Sequence, residues 1–132
     1  MHAFPSRRWS LLLLPVICLA ALSGGTGCST VQLTPDTLGE FRFGELRTTV
    51  DANLATAYQA SKTALEEKGL FLTQDDRKTI EAELKARDRG DTLVVVKVKE
   101  VAPGQSTIKI RYGVSGDAAR SQALFREIER GL

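Results

Sequence analysis

Residues 79–114 read TIEAELKARDRGDTLVVVKVKEVAPGQSTIKIRYGV, and the alternation in this stretch decides the fold. Successive side chains of a β-strand point to opposite faces, so a sheet with one buried and one wet face is apolar at every second position. In Thr79–Arg87, Ile80, Ala82, Leu84 and Ala86 alternate with Glu81, Glu83, Lys85 and Arg87. In Thr92–Val101, Val94, Val96 and Val98 oppose Lys97 and Lys99, with Leu93 and Val95 also apolar. In Thr107–Val114, Ile108, Ile110, Tyr112 and Val114 oppose Lys109 and Arg111. Pro103-Gly104, between the last two strands, stands where a type II turn places Pro and then Gly. Arg89-Gly90-Asp91 consists of common turn residues and marks the hairpin between the first two.

Upstream, Phe41–Val50 is rich in aromatic and β-branched residues and predicts a first strand. Asp51 or Asn53 caps a helix that runs to Lys68 and stops at Gly69. Its apolar stripe is Leu54, Ala57, Tyr58, Ser61, Ala64 and Leu65, mostly small residues suited to close docking on a sheet. Leu70–Gln74 predicts a short second strand, with Asp75-Asp76-Arg77-Lys78 as its turn. Downstream, Asp117 caps a helix whose Ala118, Leu124, Phe125 and Ile128 face the sheet. The expectation is an α+β domain over residues 40–132 in the order β-α-β-β-β-β-α. It has an antiparallel sheet of about five strands, with two helices packed on one face.

The first 27 residues have the layout of an export signal. Arg7 and Arg8 form a positive head, and Leu11–Leu22 is an apolar stretch broken by Pro15. A membrane-spanning helix needs roughly 20 apolar residues, more than this stretch has. Small residues then lead to Cys28. Two readings follow: acylation at Cys28, or an ordinary cut after Ser23 that leaves a soluble periplasmic protein. The first is the leading expectation, because a lone free thiol is a liability in an oxidising compartment. Residues 28–39 carry Pro35 and Gly39 without sustained periodicity, and read as the acylated Cys and a tether.

The signal takes the rare chemistry with it. Removing 27 of 132 residues leaves 105, and with them go the single His, Met and Trp, and Cys18. The 18 basic residues fall to 16, against 16 acidic, so the overall +2 belongs to Arg7 and Arg8 alone. Such a balance argues against nucleic-acid binding, which calls for a basic stripe. Without His or a free thiol, the commonest general base, zinc ligands and sulfur nucleophile are gone. The carboxylate pairs Glu66/Glu67, Asp75/Asp76 and Glu81/Glu83 fall on a helix end, a turn and a wet strand face, and read as solvated surface. No catalytic residue, metal or cofactor is expected.

The wet face is the candidate site. It carries Glu81, Glu83, Lys85, Arg87, Lys97, Lys99, Lys109 and Arg111, of which Lys97, Lys99, Lys109 and Arg111 are the candidate docking residues. The alternative from another class is a small-ligand or lipid-binding module with a crevice near Tyr58 and Tyr112.

The run Gly25-Thr26-Gly27-Cys28 resembles the lipobox of bacterial lipoproteins, with Gly25 where Leu is usual. That resemblance implies a lipid anchor on Cys28, and Ser29 after it implies the outer membrane with the domain in the periplasm. Val50-Asp51-Ala52-Asn53-Leu54, Ala64-Leu65-Glu66-Glu67-Lys68-Gly69-Leu70 and Gly113-Val114-Ser115-Gly116-Asp117 resemble a family of small bacterial lipoproteins catalogued only as a domain of unknown function. More distantly, the architecture is similar to the helix-grip domains of the C-type lipoprotein of the β-barrel assembly machinery. These resemblances imply a scaffold or a docking role toward an envelope protein. They mark no catalytic residue.

Overall fold

In the computed structural model, residues 29–34 and 37–132 are described. The elements are β1 (Ser29–Thr34), β2 (Thr37–Arg42), β3 (Glu45–Val50), α1 (Leu54–Glu67), β4 (Phe71–Arg77), β5 (Glu81–Arg87), β6 (Leu93–Ala102), β7 (Gln105–Tyr112) and α2 (Ala118–Arg130). They build one antiparallel sheet in the order β1-β2-β3-β7-β6-β5-β4. The fold class is α+β as expected, but with seven strands rather than about five.

Two differences account for the extra strands. Phe41–Val50 is not one strand: Phe43 and Gly44 both take positive φ, 50° and 75°, and turn the chain back on itself. Arg42 then pairs with Glu45 across a two-residue loop, the arrangement of a hairpin turn with two left-handed positions. The expected tether also gives way. Ser29 to Gln32 pair with Phe41 to Leu38, and Leu33 is buried in the core. An unpatterned polar segment becomes a strand here because β2 offers a free edge.

Smaller shifts follow the same logic. β4 continues through Asp75, Asp76 and Arg77, the residues expected to turn. A register shift between Leu72 and Gln74 carries it past its short apolar start. β5 begins at Glu81, which leaves Ile80 exposed in the preceding turn. β7 ends at Tyr112, so Val114 lies outside the sheet and is exposed.

The caps act as expected. Asn53 Oδ1 accepts from Thr56 N at 2.8 Å, and Asp117 Oδ1 from Arg120 N at 3.0 Å. At the end of α1, Gly69 N donates to Glu66 O and Leu70 N to Leu65 O, both at 2.9 Å. This pair closes a Schellman motif, with Gly69 at φ 69° and Leu70 folded back into the core.

α1 packs over β4–β7, while α2 packs over β3, β7 and β1. Between helices and sheet, Leu46, Leu65, Leu84, Val94, Val96, Val98, Ile108, Ile110, Leu124, Phe125 and Ile128 are fully buried. Each such side chain contributes about 1.5–3 kcal/mol relative to exposure. Ala57, Ala60, Ser61 and Ala64 give α1 the small face that lets it lie close to the sheet.

Candidate functional site

The helices leave the other sheet face open, and the register sets its charges in rows. Asp76 pairs with Glu83, Glu83 with Lys97, Lys97 with Lys109, Lys109 with Arg47, and Arg47 with Glu40. Three cations therefore stand side by side on β6, β7 and β3. In the next row toward the hairpins, Lys85 pairs with Val95 and Val95 with Arg111. On the other side, Glu81 pairs with Lys99 and Lys99 with Thr107. The four residues expected to dock a partner, Lys97, Lys99, Lys109 and Arg111, share this face. Arg47 and Glu45 join them, hidden from the sequence reading because β3 was fused with β2 there.

The outward-facing charges of β3 and β5–β7 are Arg47, Lys85, Arg87, Lys97, Lys99, Lys109 and Arg111 against Glu45, Glu81 and Glu83. Seven cations to three carboxylates is a marked excess for a chain whose acids and bases balance after residue 27. Glu83 carries most of the compensation, with Lys85 and Lys97 each at 3.1 Å. Hydrogen bonds from Lys85 and then Lys97 hold the Glu83 carboxyl below its ordinary pKa, against a smaller opposing effect of burial. Glu45 is looser, 3.9 Å from Arg47 and 4.0 Å from Lys109.

Sheet twist hollows this face. One depression of about 390 Å³ is lined by Lys78, Lys97, Lys99 and Lys109 together with Asp76, Glu81 and Glu83. Two more, of about 290 and 300 Å³, continue it past Lys85 and Arg111 to Arg42 and Phe43. Shared residues, Lys97 between the first two and Arg111 between the last two, make them one polar groove.

The two tyrosines do not meet in a common crevice. Tyr58, on α1, donates to the Asp75 carboxylate on β4 at 2.7 Å, and Lys62 Nζ reaches the same carboxylate at 3.1 Å. Arg77 lies 5.0 Å over the Tyr58 ring. Tyr112, at the end of β7, donates to Asp88 Oδ2 at 3.2 Å, with Arg120 of α2 5.2 Å over its ring. Each is a Tyr–Asp–Arg clasp that fastens a helix or a loop to the sheet. The Tyr58 hydroxyl lowers the pKa of Asp75, with Lys62 adding to it. Backbone N–H groups of Thr92 and Gly90, then the Tyr112 hydroxyl, lower that of Asp88. Asp88 Oδ1 accepts from Gly90 N at 2.8 Å and Thr92 N at 2.9 Å, so it organises the β5–β6 turn. Within that turn the Asp91 carboxylate pairs with Arg87 at 3.1 Å.

Of the carboxylate pairs, Glu66 and Glu67 are exposed at the end of α1. Asp75 and Asp76 stand on opposite faces of β4, and Glu81 and Glu83 face outward on β5. Among the described residues no three Asp, Glu, His or Cys side chains come together as metal ligands. No helix among them is long and apolar enough to cross a membrane. Cys28 lies outside the described residues.

A family model described as protein of unknown function (DUF3568) matches residues 10–131. The match takes in the apolar stretch and Cys28 together with all nine elements. No curated protein matches the chain.

Proposed function

The chain belongs to the family of proteins of unknown function DUF3568, and on that premise we propose a non-enzymatic lipoprotein of the outer membrane. Cys28 carries the anchor, and the periplasmic domain offers its open sheet face to an envelope protein. The observation that carries this reading is the sorting of charge: a filled core beneath the helices, and on the uncovered face seven cations against three carboxylates along β3 and β5–β7, or eight against five once Arg42, Glu40 and Asp76 of the flanking strands are included. Seven strands spaced by about 4.8 Å, each about seven residues long at 3.4 Å, give a face of roughly 700 Å². One side of a standard protein interface is about 800 Å². The partner surface is correspondingly acidic. Support for the anchor comes from the match, which joins the apolar stretch and Cys28 to the domain in one family. Catalysis has little to draw on after residue 28, where neither His nor Cys occurs.

The test is crosslinking in cells from photoreactive residues at 97, 99 and 109. One envelope protein captured at all three positions, and lost from the probe at 99 when Lys97→Glu/Lys109→Glu is added, is the expected result. Adducts with lipid alone refute protein docking and favour a ligand-binding module, although the crevice near Tyr58 and Tyr112 expected for it is closed by their contacts with Asp75 and Asp88. Cys28→Ser checks the anchor: acyl labelling and outer-membrane fractionation both vanish if the reading holds.

A further inference from the structure

Two apolar side chains stand in the open in neighbouring turns at the end of the sheet where β1 begins; Phe71, at the start of β4, is also exposed at this end but on the far edge. Phe43 is 81% exposed and Val114 is 94% exposed. They belong to turns in backbone contact, for a Cβ on Gly116 would overlap the Gly44 carbonyl and one on Gly44 the Ser115 carbonyl. Phe43 is out of place by two separate measures. Its φ of 50° belongs to a turn position where Asn, Asp and Gly are preferred. Its ring gains little from the protein, being 81% exposed with the Arg42 guanidinium 4.8 Å from its centroid. An aromatic residue held against its backbone preference and left in water points to an apolar partner outside the chain.

The register says what lies beside it. Ser29 pairs with Phe41, two residues before Phe43. The chain therefore enters the described domain at this end, and the residue before Ser29 is Cys28. Consecutive Cα atoms are about 3.8 Å apart, so no tether separates an acyl group on Cys28 from the Phe43 turn. Arg42 and Arg111 flank the same tip, with Arg111 Nη1 reaching Val114 O at 3.5 Å.

We propose that this end of the domain is a membrane-seating tip. Phe43 and Val114 enter the boundary between headgroups and acyl chains, and Arg42 and Arg111 pair with lipid phosphates. The proposal rests on the acylation of Cys28. It also fixes the orientation of the candidate docking face, which stands upright on the bilayer. Lys99 lies four residues along β6 from Val95, roughly 14 Å farther from the membrane.

The test uses the acylated protein, purified from the envelope and reconstituted in vesicles of phosphatidylethanolamine and phosphatidylglycerol. Single cysteines at positions 43, 114, 80 and 101 carry an environment-sensitive fluorophore, and some lipids carry a quencher on the acyl chain. Ile80 and Val101 are the controls, 55% and 52% exposed at the opposite end of the sheet. A fifth label at position 115 leaves Phe43 and Val114 in place. We expect quenching at least threefold stronger at 43, 114 and 115 than at 80 and 101. Phe43→Ser/Val114→Ser should abolish that at 115. Flotation with the vesicles but equal quenching at both ends overturns the tip and spares the anchor. Tip labels shielded from a soluble quencher yet untouched by the lipid one overturn it in favour of a protein cover. Failure to float overturns the anchor and the tip together.

Discussion

Gly116→Ala separates two causes that usually travel together at a glycine, backbone conformation and lack of space. Four glycines at similar positive φ make the comparison: Gly44 at 75°, Gly69 at 69°, Gly104 at 72° and Gly116 at 82°. At Gly69 and Gly104 an added Cβ meets nothing within 4 Å. Alanine there costs about 1–2 kcal/mol for the left-handed backbone, offset by about 0.4–1 kcal/mol through a less flexible unfolded chain, leaving about 1 kcal/mol. At Gly116 the new Cβ runs into the Gly44 carbonyl, Cα and carbonyl carbon. Backbone on both sides cannot step aside as a flexible side chain would, so overpacking adds about 1–3 kcal/mol. The total is roughly 2–4 kcal/mol for Gly116→Ala. For a domain of this size each kcal/mol moves Tm by about 4–8 °C. Thermal and urea denaturation of the four alanine variants should therefore fall into two groups. Gly69→Ala and Gly104→Ala should lose about 5 °C, and Gly116→Ala and Gly44→Ala at least twice that. Equal losses at Gly104 and Gly116 would refute the claim that the two turns press backbone on backbone.

Phe43→Asn should raise stability by about 1 kcal/mol, because Asn tolerates the left-handed turn position and little packing is lost; a fall in Tm would show that the ring packs on the domain. Asp75→Asn should cost about 1 kcal/mol at neutral pH, from charge-assisted hydrogen bonds that are partly screened by solvent. The folded Asp75 has its pKa below the ordinary 3.8, so this contribution is present above that pH and lost as pH falls through the folded value. The urea midpoints of the native protein and Asp75→Asn should converge in that window, and a gap that persists at lower pH counts against the clasp. Glu83→Gln leaves Lys85 and Lys97 without their closest anion, and should cost roughly 0.5–1 kcal/mol at low ionic strength. The loss should shrink near 1 M salt, where the screening length is about 3 Å; a salt-independent loss would mean that packing is responsible.

What the sequence made legible was local. Val94, Val96 and Val98 against Lys97 and Lys99, Gly69 after α1, Asn53 and Asp117 at helix starts, and Pro103-Gly104 in a turn each act within a few residues. Their positions in the structure follow from side-chain period, capping and φ preference. The edge strands obey a different rule. β4 is exposed along nearly all its length, and β1 alternates only through Val31 and Leu33, too short a run to read as a strand; both become strands because β5 and β2 hold out unpaired backbone. Phe43-Gly44 was unreadable as a turn because phenylalanine is among the residues least suited to a left-handed position. That mismatch concealed the hairpin and then became the best clue to the tip. The Tyr58–Asp75 and Tyr112–Asp88 clasps join residues 17 and 24 positions apart. The first depends on α1 lying over the β4 edge and the second on β7 ending beside the β5–β6 turn, and no local pattern encodes either.

The charge on the open face is harder to explain by stability than by recognition. Directly opposed residues on neighbouring strands interact by roughly 0.2–1 kcal/mol, and like charges in those positions are destabilising. The pairs Lys97–Lys109 and Lys109–Arg47 are both unfavourable on this count. Moving a carboxylate to position 109 would make both favourable without changing composition greatly, since acids and bases are already equal in number after residue 27. Defence against edge-to-edge aggregation does not account for the arrangement either. That hazard lies on β1 and β4, whereas the cations concentrate on β6, β7 and β3 in the middle of the sheet. Solubility needs charge but not one sign in one row. A row of three cations at the centre, with Asp76 and Glu83 on one side and Glu40 on the other, is what an acidic partner would read. Glu83 and Glu45 offset the like-charge contacts only in part, and the proposed partner would complete that compensation. Lys109→Glu removes both like-charge pairs but sets a carboxylate against Glu45, which lies 4.0 Å from Lys109 Nζ, so the isolated domain should stay about as stable while capture of the proposed partner is lost, a separation that a purely structural role for Lys109 could not produce.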